Sequence, residues 1–395
     1  MQRLVVAVVL LAACRGDPQD AGHKRPASAV SAVPKLPYSD DGAAELRALD
    51  DRVRIHAGEP AKEIGLLLER AAYRGRVEDY EQAVALADKL VAEHPADPAA
   101  WKIEVSALSA VHRFADARAA LDKYKQLDDN PADWRGLEVS LDEATGRLGE
   151  AGAARAATAT KYPDPVSLTQ WAANLATRGS TDKAIELIPK AAERLRDNTP
   201  ETIAWLLFQW GRVYELAGKP ATAREFYEEA HRRLPGFVEA TAHLAQAMMA
   251  TGETAKAKAL VDSELAHDRH PTLLALAVQL GHTELVDEAK REWERYVTAL
   301  PEAFCDHAAR FYLTLDPARA LVLARANLAN RDTPEARSLV TEAALAAGDA
   351  KAACEAADPL VSEPAPRAQK FVAWRALSKC GRTEEAQRLA RDLGI

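Results

Sequence analysis

Three groups of residues in this chain have the types that chemistry needs. They are the cysteines Cys14, Cys305, Cys354 and Cys380, the run Glu264, His267 and His270, and the set Trp205, Phe208, Arg212 and Glu215. The second group repeats every third residue, which sets ligands along one side of a helix. His270, however, precedes Pro271, so a helix ends there, and no second ligand group accompanies it; no metal is expected. Cys305 has His307 two residues away, on a different helix face. With no acid tied to the pair, Cys305 reads as a small apolar core residue rather than a nucleophile. The chain has no HExxH, GxSxG, phosphate-loop or dinucleotide fingerprint. Its many carboxylates read as solvated faces, so neither catalysis nor a cofactor is expected. A hydrolase hidden in a degenerate segment is the reading these residues support least.

The elements that must position these residues are helices. Aromatics make up 6% of the chain, alanine is abundant and 21 prolines are spread along it, which suits many short helices better than sheets. The fold class is all-α. A formal net charge of −8 without a Lys/Arg stripe argues against a nucleic-acid partner. The clearest unit is Ala204 to Phe237, where Leu207, Trp210, Gly211 and Tyr214 fall at helical spacing. Gly218 then supplies a helix-ending residue, Ala223, Tyr227 and Ala230 resume the period, and Pro235 stops it. Small residues such as Gly211 and Ala223 let two helices approach closely.

This pattern resembles the tetratricopeptide repeat, whose period is about 34 residues. The resemblance implies a right-handed superhelical solenoid of about ten helix–turn–helix repeats over 64–395, with a capping helix over 42–63. The unit at Pro165 overruns through Asn198-Thr199-Pro200, an insertion expected to bend the solenoid. A coiled coil is excluded because Gly or Pro interrupts the period about every 15 to 20 residues. In such repeats the first helix of each unit lines a concave groove. On the Ala204–Phe237 unit that side carries Trp205, Phe208, Arg212 and Glu215, with Thr169, Ala173, Gln246 and Met249 at comparable places in neighbouring units. Two large aromatics outside the packing set either anchor an apolar peptide segment, with Arg212 free for a carboxylate, or are covered as extra core. In the same register Cys354 starts a second helix and Cys380 ends the first helix of the next unit, so these two either form a disulfide or remain buried thiols.

The N-terminus, MQRLVVAVVLLAAC, puts one Arg before an apolar run from Leu4 to Ala13, too short for a permanent membrane span. It reads as a secretion signal over 1–13. Leu11-Ala12-Ala13-Cys14 resembles the bacterial lipoprotein cleavage box. That resemblance implies cleavage before Cys14, diacylglycerol on its sulfur and a further acyl chain such as palmitate on its amino group, a stable anchor. Arg15 rather than Asp follows Cys14, which favours the outer membrane, facing the periplasm. Residues 14–41 are rich in Pro, Ala, Ser and charge, and read as a lipidated cysteine followed by a disordered tether.

The function expected from these features is a membrane-anchored periplasmic scaffold of the cell envelope. It would hold envelope proteins or peptide segments together in complex assembly or secretion. The alternative is a sensor that binds a peptide or glycan in the concave groove.

Overall fold

The computed structural model describes residues 32–395. The described residues form helices and no strands. A lone helix, α1 (Gly42–Ile55), precedes ten helix–turn–helix hairpins. The first four pair α2 (Pro60–Arg74) with α3 (Val77–Glu93), α4 (Pro98–Ala110) with α5 (Phe114–Leu127), α6 (Pro131–Ala144) with α7 (Leu148–Lys161), and α8 (Pro165–Thr177) with the broken pair α9 (Thr181–Ile185) and α10 (Leu187–Arg194). The next three pair α11 (Pro200–Leu216) with α12 (Pro220–Arg233), α13 (Val238–Ala250) with α14 (Thr254–Leu265), and α15 (Pro271–Gln279) with α16 (Val286–Ala299). The last three pair α17 (Pro301–Tyr312) with α18 (Pro317–Asn330), α19 (Pro334–Ala346) with α20 (Ala350–Ser362), and α21 (Arg367–Lys379) with α22 (Thr383–Leu393). The fold is an all-α helical repeat solenoid.

The local chemistry is repetitive. Most first helices open on a proline, which lacks the N–H that the first turn would leave unpaired and has its φ already set for a helix. Between the two helices a residue in the left-handed region reverses the chain, usually glycine. Within hairpins small residues let the helices close. A Cβ on Gly211 would lie 2.5 Å from the Tyr227 ring, so only glycine lets that ring seat against α11. One expectation shifts. The capping element is α1 alone, because Pro60 already opens the first hairpin. The second helix of the fourth hairpin breaks at Glu186, since Pro189 has no N–H to give to the turn before it.

The row of hairpins coils tightly enough to meet itself. The turn of the first hairpin, at Gly75, lies against His270 at the head of the seventh. The turn of the second, at His112, meets Glu302 at the head of the eighth. Gly146 of the third meets Asp332 before the ninth, and Gly179 of the fourth meets Ala365 before the tenth. The same step brings α1 against the chain before the sixth, where Gly42 touches the Arg233 carbonyl. One coil turn therefore spans six hairpins, and the second turn stacks on the first. Aromatic pairs cross this seam, with ring centroids 5.3 Å apart for Tyr73 and Phe237 and 6.4 Å for Tyr80 and Phe304.

The expected free tether ends earlier than residue 41. Residues 32–41 run along α12: the Ala32 N–H donates to the Glu225 carboxylate at 2.8 Å, and Arg233 Nη1 donates to the Pro37 carbonyl at 2.8 Å. Paired backbone groups and the packing of Val33 and Leu36 on the core hold this segment where composition alone read disorder. Residues 1–31, and with them the signal and Cys14, lie outside the described residues. At the other end, Cys354 at the start of α20 and Cys380 just after α21 are joined as a disulfide, with Cα atoms 6.5 Å apart.

Two measurements follow from these contacts. Gly146 has a φ of +94°, and a Cβ there would lie 2.0 Å from the Asp332 carbonyl oxygen, whereas Gly252, at a φ of +81°, faces open space. Gly252→Ala should lower stability by about 1–2 kcal/mol, the left-handed penalty alone. Gly146→Ala should lower it by more, because the coil turns must also part, and equal losses in thermal or urea melts would contradict the stacking. Alkylation of the unfolded, unreduced chain should label Cys305 and spare Cys354 and Cys380 until a reductant is added; labelling of all three without reductant would show that no bond forms.

Candidate functional site

The inner face of the coil is the place to look for a site, because the first helices converge there. On α11 it carries Trp205, Phe208, Arg212 and Glu215, as the repeat register implies. The expectation that these four line an open groove is corrected by their burial. Trp205 is 8% exposed, Phe208 4% and Arg212 4%. Phe208 sits in an aromatic cluster, with ring centroids 5.3 Å from Phe237, 5.8 Å from Tyr227 and 5.2 Å from His243. α1 packs on α11 and α2 on α13, so the preceding coil turn covers what a looser superhelix would leave open. Thr169, also read as facing inward, accepts a hydrogen bond from Trp210 Nε1 at 2.9 Å and ties the fourth hairpin to the fifth.

The charged pair on α11 belongs to this core as well. Arg212 Nη1 lies 3.1 Å from Glu215 Oε2, His243 Nδ1 lies 3.0 Å from the same oxygen, and the Tyr227 hydroxyl donates to it. Burial raises the Glu215 carboxyl, but Arg212 and His243 outweigh it and hold the group down at about 2. The carboxylate is thus charged and satisfied from within, which leaves Arg212 committed rather than waiting for a peptide carboxylate.

A second buried cluster, not foreseen from the sequence, lies where the coil turns meet. Arg331, just past α18, donates from Nη2 to Asp306 Oδ2 at 2.5 Å and from Nε to Asn327 Oδ1 at 3.0 Å. Arg331 and Asp306 are each 2% exposed. Burial raises the Asp306 carboxyl, and His307, Arg331 and His112 together overcome that and hold it at about 2. His112 reaches this cluster from the opposite coil turn. It has a φ of +58°, and it stands where most other hairpins have their turn glycine. That displacement of a glycine by a histidine is the sequence signal that could have found the cluster.

The remaining candidates do not assemble. Glu264 lies 4.0 Å from His231, His267 is exposed, and His270 is buried toward Gly75, so the three point to different surroundings. Among the described residues there is no cluster of three metal-ligating side chains. Cys305 is buried, and that burial, with Asp306 beside it, pushes its thiol up to about 11. A thiol so far from ionisation is a poor nucleophile.

A cleft of about 330 Å³ opens between α5, α6 and α7. Its charges are matched: Arg118 and Arg147 both bind Asp142, while Lys125 and Arg135 both bind Glu138. At its edge the half-buried Trp134 carries the Lys125 ammonium 4.5 Å over its ring, and its indole Nε1 has no partner.

Residues 216–280, from the end of α11 to just past α15, match the family model of the tetratricopeptide repeat. The chain thus carries repeats of this class, and they make a solenoid of the kind that supports protein–protein interaction. Among solved structures it is similar to the Cut9–Hcn1 hetero-tetramer of the APC/C, with 12% identity, a TM-score of 0.44, and coverage of 91% of this chain and 78% of that one. It is also similar to the human IFIT1 dimer with PPP-AAAA, at 19% identity, TM-score 0.44, and 81% and 78% coverage. A third similarity is to Naa15/Naa10 bound to HypK-THB, at 14% identity, TM-score 0.32, and 87% and 64% coverage. Likeness at this level carries no functional argument. No curated protein sequence matches the chain.

If the inner aromatics are core, Phe208→Ala should lower stability by about 3–5 kcal/mol, the usual result of removing a buried aromatic ring. Urea melts of the purified chain measure this. A variant as stable as the wild type would return Phe208 to the role of a free contact residue.

Proposed function

We propose that this protein is a membrane-anchored scaffold of the bacterial cell envelope, acylated on Cys14 and facing the periplasm from the outer membrane. It binds envelope proteins or peptide segments during complex assembly or secretion. The anchor reading is supported by the apolar run Leu4–Ala13, the Leu11–Cys14 box and the Arg at position 15. The scaffold reading is supported by one observation: ten stacked hairpins, with the inward side of α11 packed as core, give a long surface for a partner. The α5–α7 cleft is lined by Arg118 and Arg135, and beside it lies the half-buried Trp134 with the Lys125 ammonium 4.5 Å over its ring. Tryptophan and arginine of this kind dominate binding energies at protein interfaces. A peptide or glycan sensor is favoured less, because the inward side of α11, where its ligand would sit, is packed as core.

Two experiments test this reading. Cys14→Ser should move the protein from the membrane to the soluble fraction, and continued membrane retention with the signal intact would remove the anchor. In-cell cross-linking should capture envelope proteins on the wild type and several-fold less on Trp134→Ala plus Arg135→Ala. Undiminished capture by a folded double variant would place the contact elsewhere.

A further inference from the structure

Among the contacts that join the first two hairpins to the second coil turn, two run through a buried histidine. His270 caps α15: its Nδ1 accepts the Thr272 N–H at 3.2 Å, while its Nε2 lies 3.1 Å from the Gly75 carbonyl of the opposite turn and must donate to it. That pair of bonds needs the neutral ring. A second proton would sit on Nδ1, facing the Thr272 N–H, and would abolish the cap. His112 uses its Nδ1 toward the Glu302 carbonyl at 3.3 Å, and its own carbonyl accepts from Asn330 Nδ2 at 2.9 Å. Its Nε2 is buried without a partner, so a proton there would add an unsatisfied cation near Arg331.

The charged groups around them do not offer either proton a home. Facing His112 are Asp306 and His307 of α17 and Arg331 past α18, and Arg331 already holds the Asp306 carboxylate. Facing His270 are Glu78 of α3, Arg295 of α16 and His307 of α17. Glu78 is bound by Arg295, and the Tyr296 ring closes the site at 5.5 Å. Asp268, two residues before His270, is met by Arg74 and Arg76 from the opposite turn.

The geometry points to a pH-dependent latch: stacking of the two coil turns requires neutral His112 and His270, so mild acid weakens it in favour of a parted form in which both are protonated. The latch goes beyond the scaffold reading and does not depend on the lipid anchor. Burial pushes both rings down to about 3, with Arg331 adding to the effect on His112 and the Gly75 bond working against it on His270. In a parted coil each would return to about 6.5. A depressed histidine favours the closed form fully above the open-state value, and that preference is lost as pH falls below it. Each histidine therefore lowers the closed-to-open ratio about tenfold per pH unit below 6.5, and the two together lower it on the order of a thousandfold by pH 5.0. The seam carboxylate Asp306, held at about 2, stays charged throughout this window.

Hydrogen–deuterium exchange on the full chain from pH 7.0 to 5.0, corrected for intrinsic rates, tests the latch. Protection at the α2–α3 turn, the α4–α5 turn and the head of α17 should fall steeply with acid while far-UV helicity stays constant. In His112→Asn plus His270→Asn that slope should flatten. His112→Asn alone, whose left-handed site accepts asparagine, should halve the slope and serves if the double variant does not fold. Seam protection constant with pH in the wild type, an unchanged slope in the variants, or loss of helicity over the same range would each overturn the proposal.

Discussion

The structure depends on how closely one coil turn can lie on the next. At Gly146 the backbone comes so near Asp332 that a single added carbon would fall 2.0 Å from its carbonyl oxygen, and Gly179 repeats the approach at Ala365 with 2.5 Å. Because these contacts recur with the same step along the chain, six hairpins complete a turn and the pitch is small. On α11 the inward side chains are covered as well. The inner face there is filled by the side chains that a looser coil would offer to a ligand.

That filling explains the unusual weight of buried charge. Arg212 with Glu215, and Arg331 with Asp306, lie on first helices or at their margins, where a polar inner face has been enclosed. Desolvating such groups is costly, so each is satisfied by its ionic partner and by further hydrogen bonds, Glu215 with Tyr227 and His243, and Arg331 donating to Asn327 Oδ1. Removing one member leaves the other charge uncompensated, which ties the register of neighbouring hairpins to the identity of a few polar residues. The apolar seam is less particular: Tyr73 on Phe237 and Tyr80 on Phe304 add area without fixing a proton or a charge.

Functionally, enclosure moves the accessible surface outward. Trp134, beside the α5–α7 cleft, is half-buried where Trp205 is buried, so of the two it is the one a partner can reach.

The amino-acid sequence determined the hairpins. Proline at the start of a helix, glycine in the left-handed turn and small residues such as Gly211 opposite Tyr227 act over a few residues, and their period of about 34 is readable without coordinates. It also placed Cys354 and Cys380 within bonding range, since they belong to adjacent units. Only the tertiary structure decided what Trp205, Phe208, His112 and His270 do. Phe208 is enclosed by Tyr227, Phe237 and His243 of its own and the next hairpin, while the partners of His112 and His270 come from the opposite coil turn, as far as 218 residues away for His112. Which residues meet there depends on the small rotation between each hairpin and the next, summed over six hairpins. Helical periodicity states that a residue faces inward, but it carries no record of that sum, and so it could not say whether inward meant solvent or core.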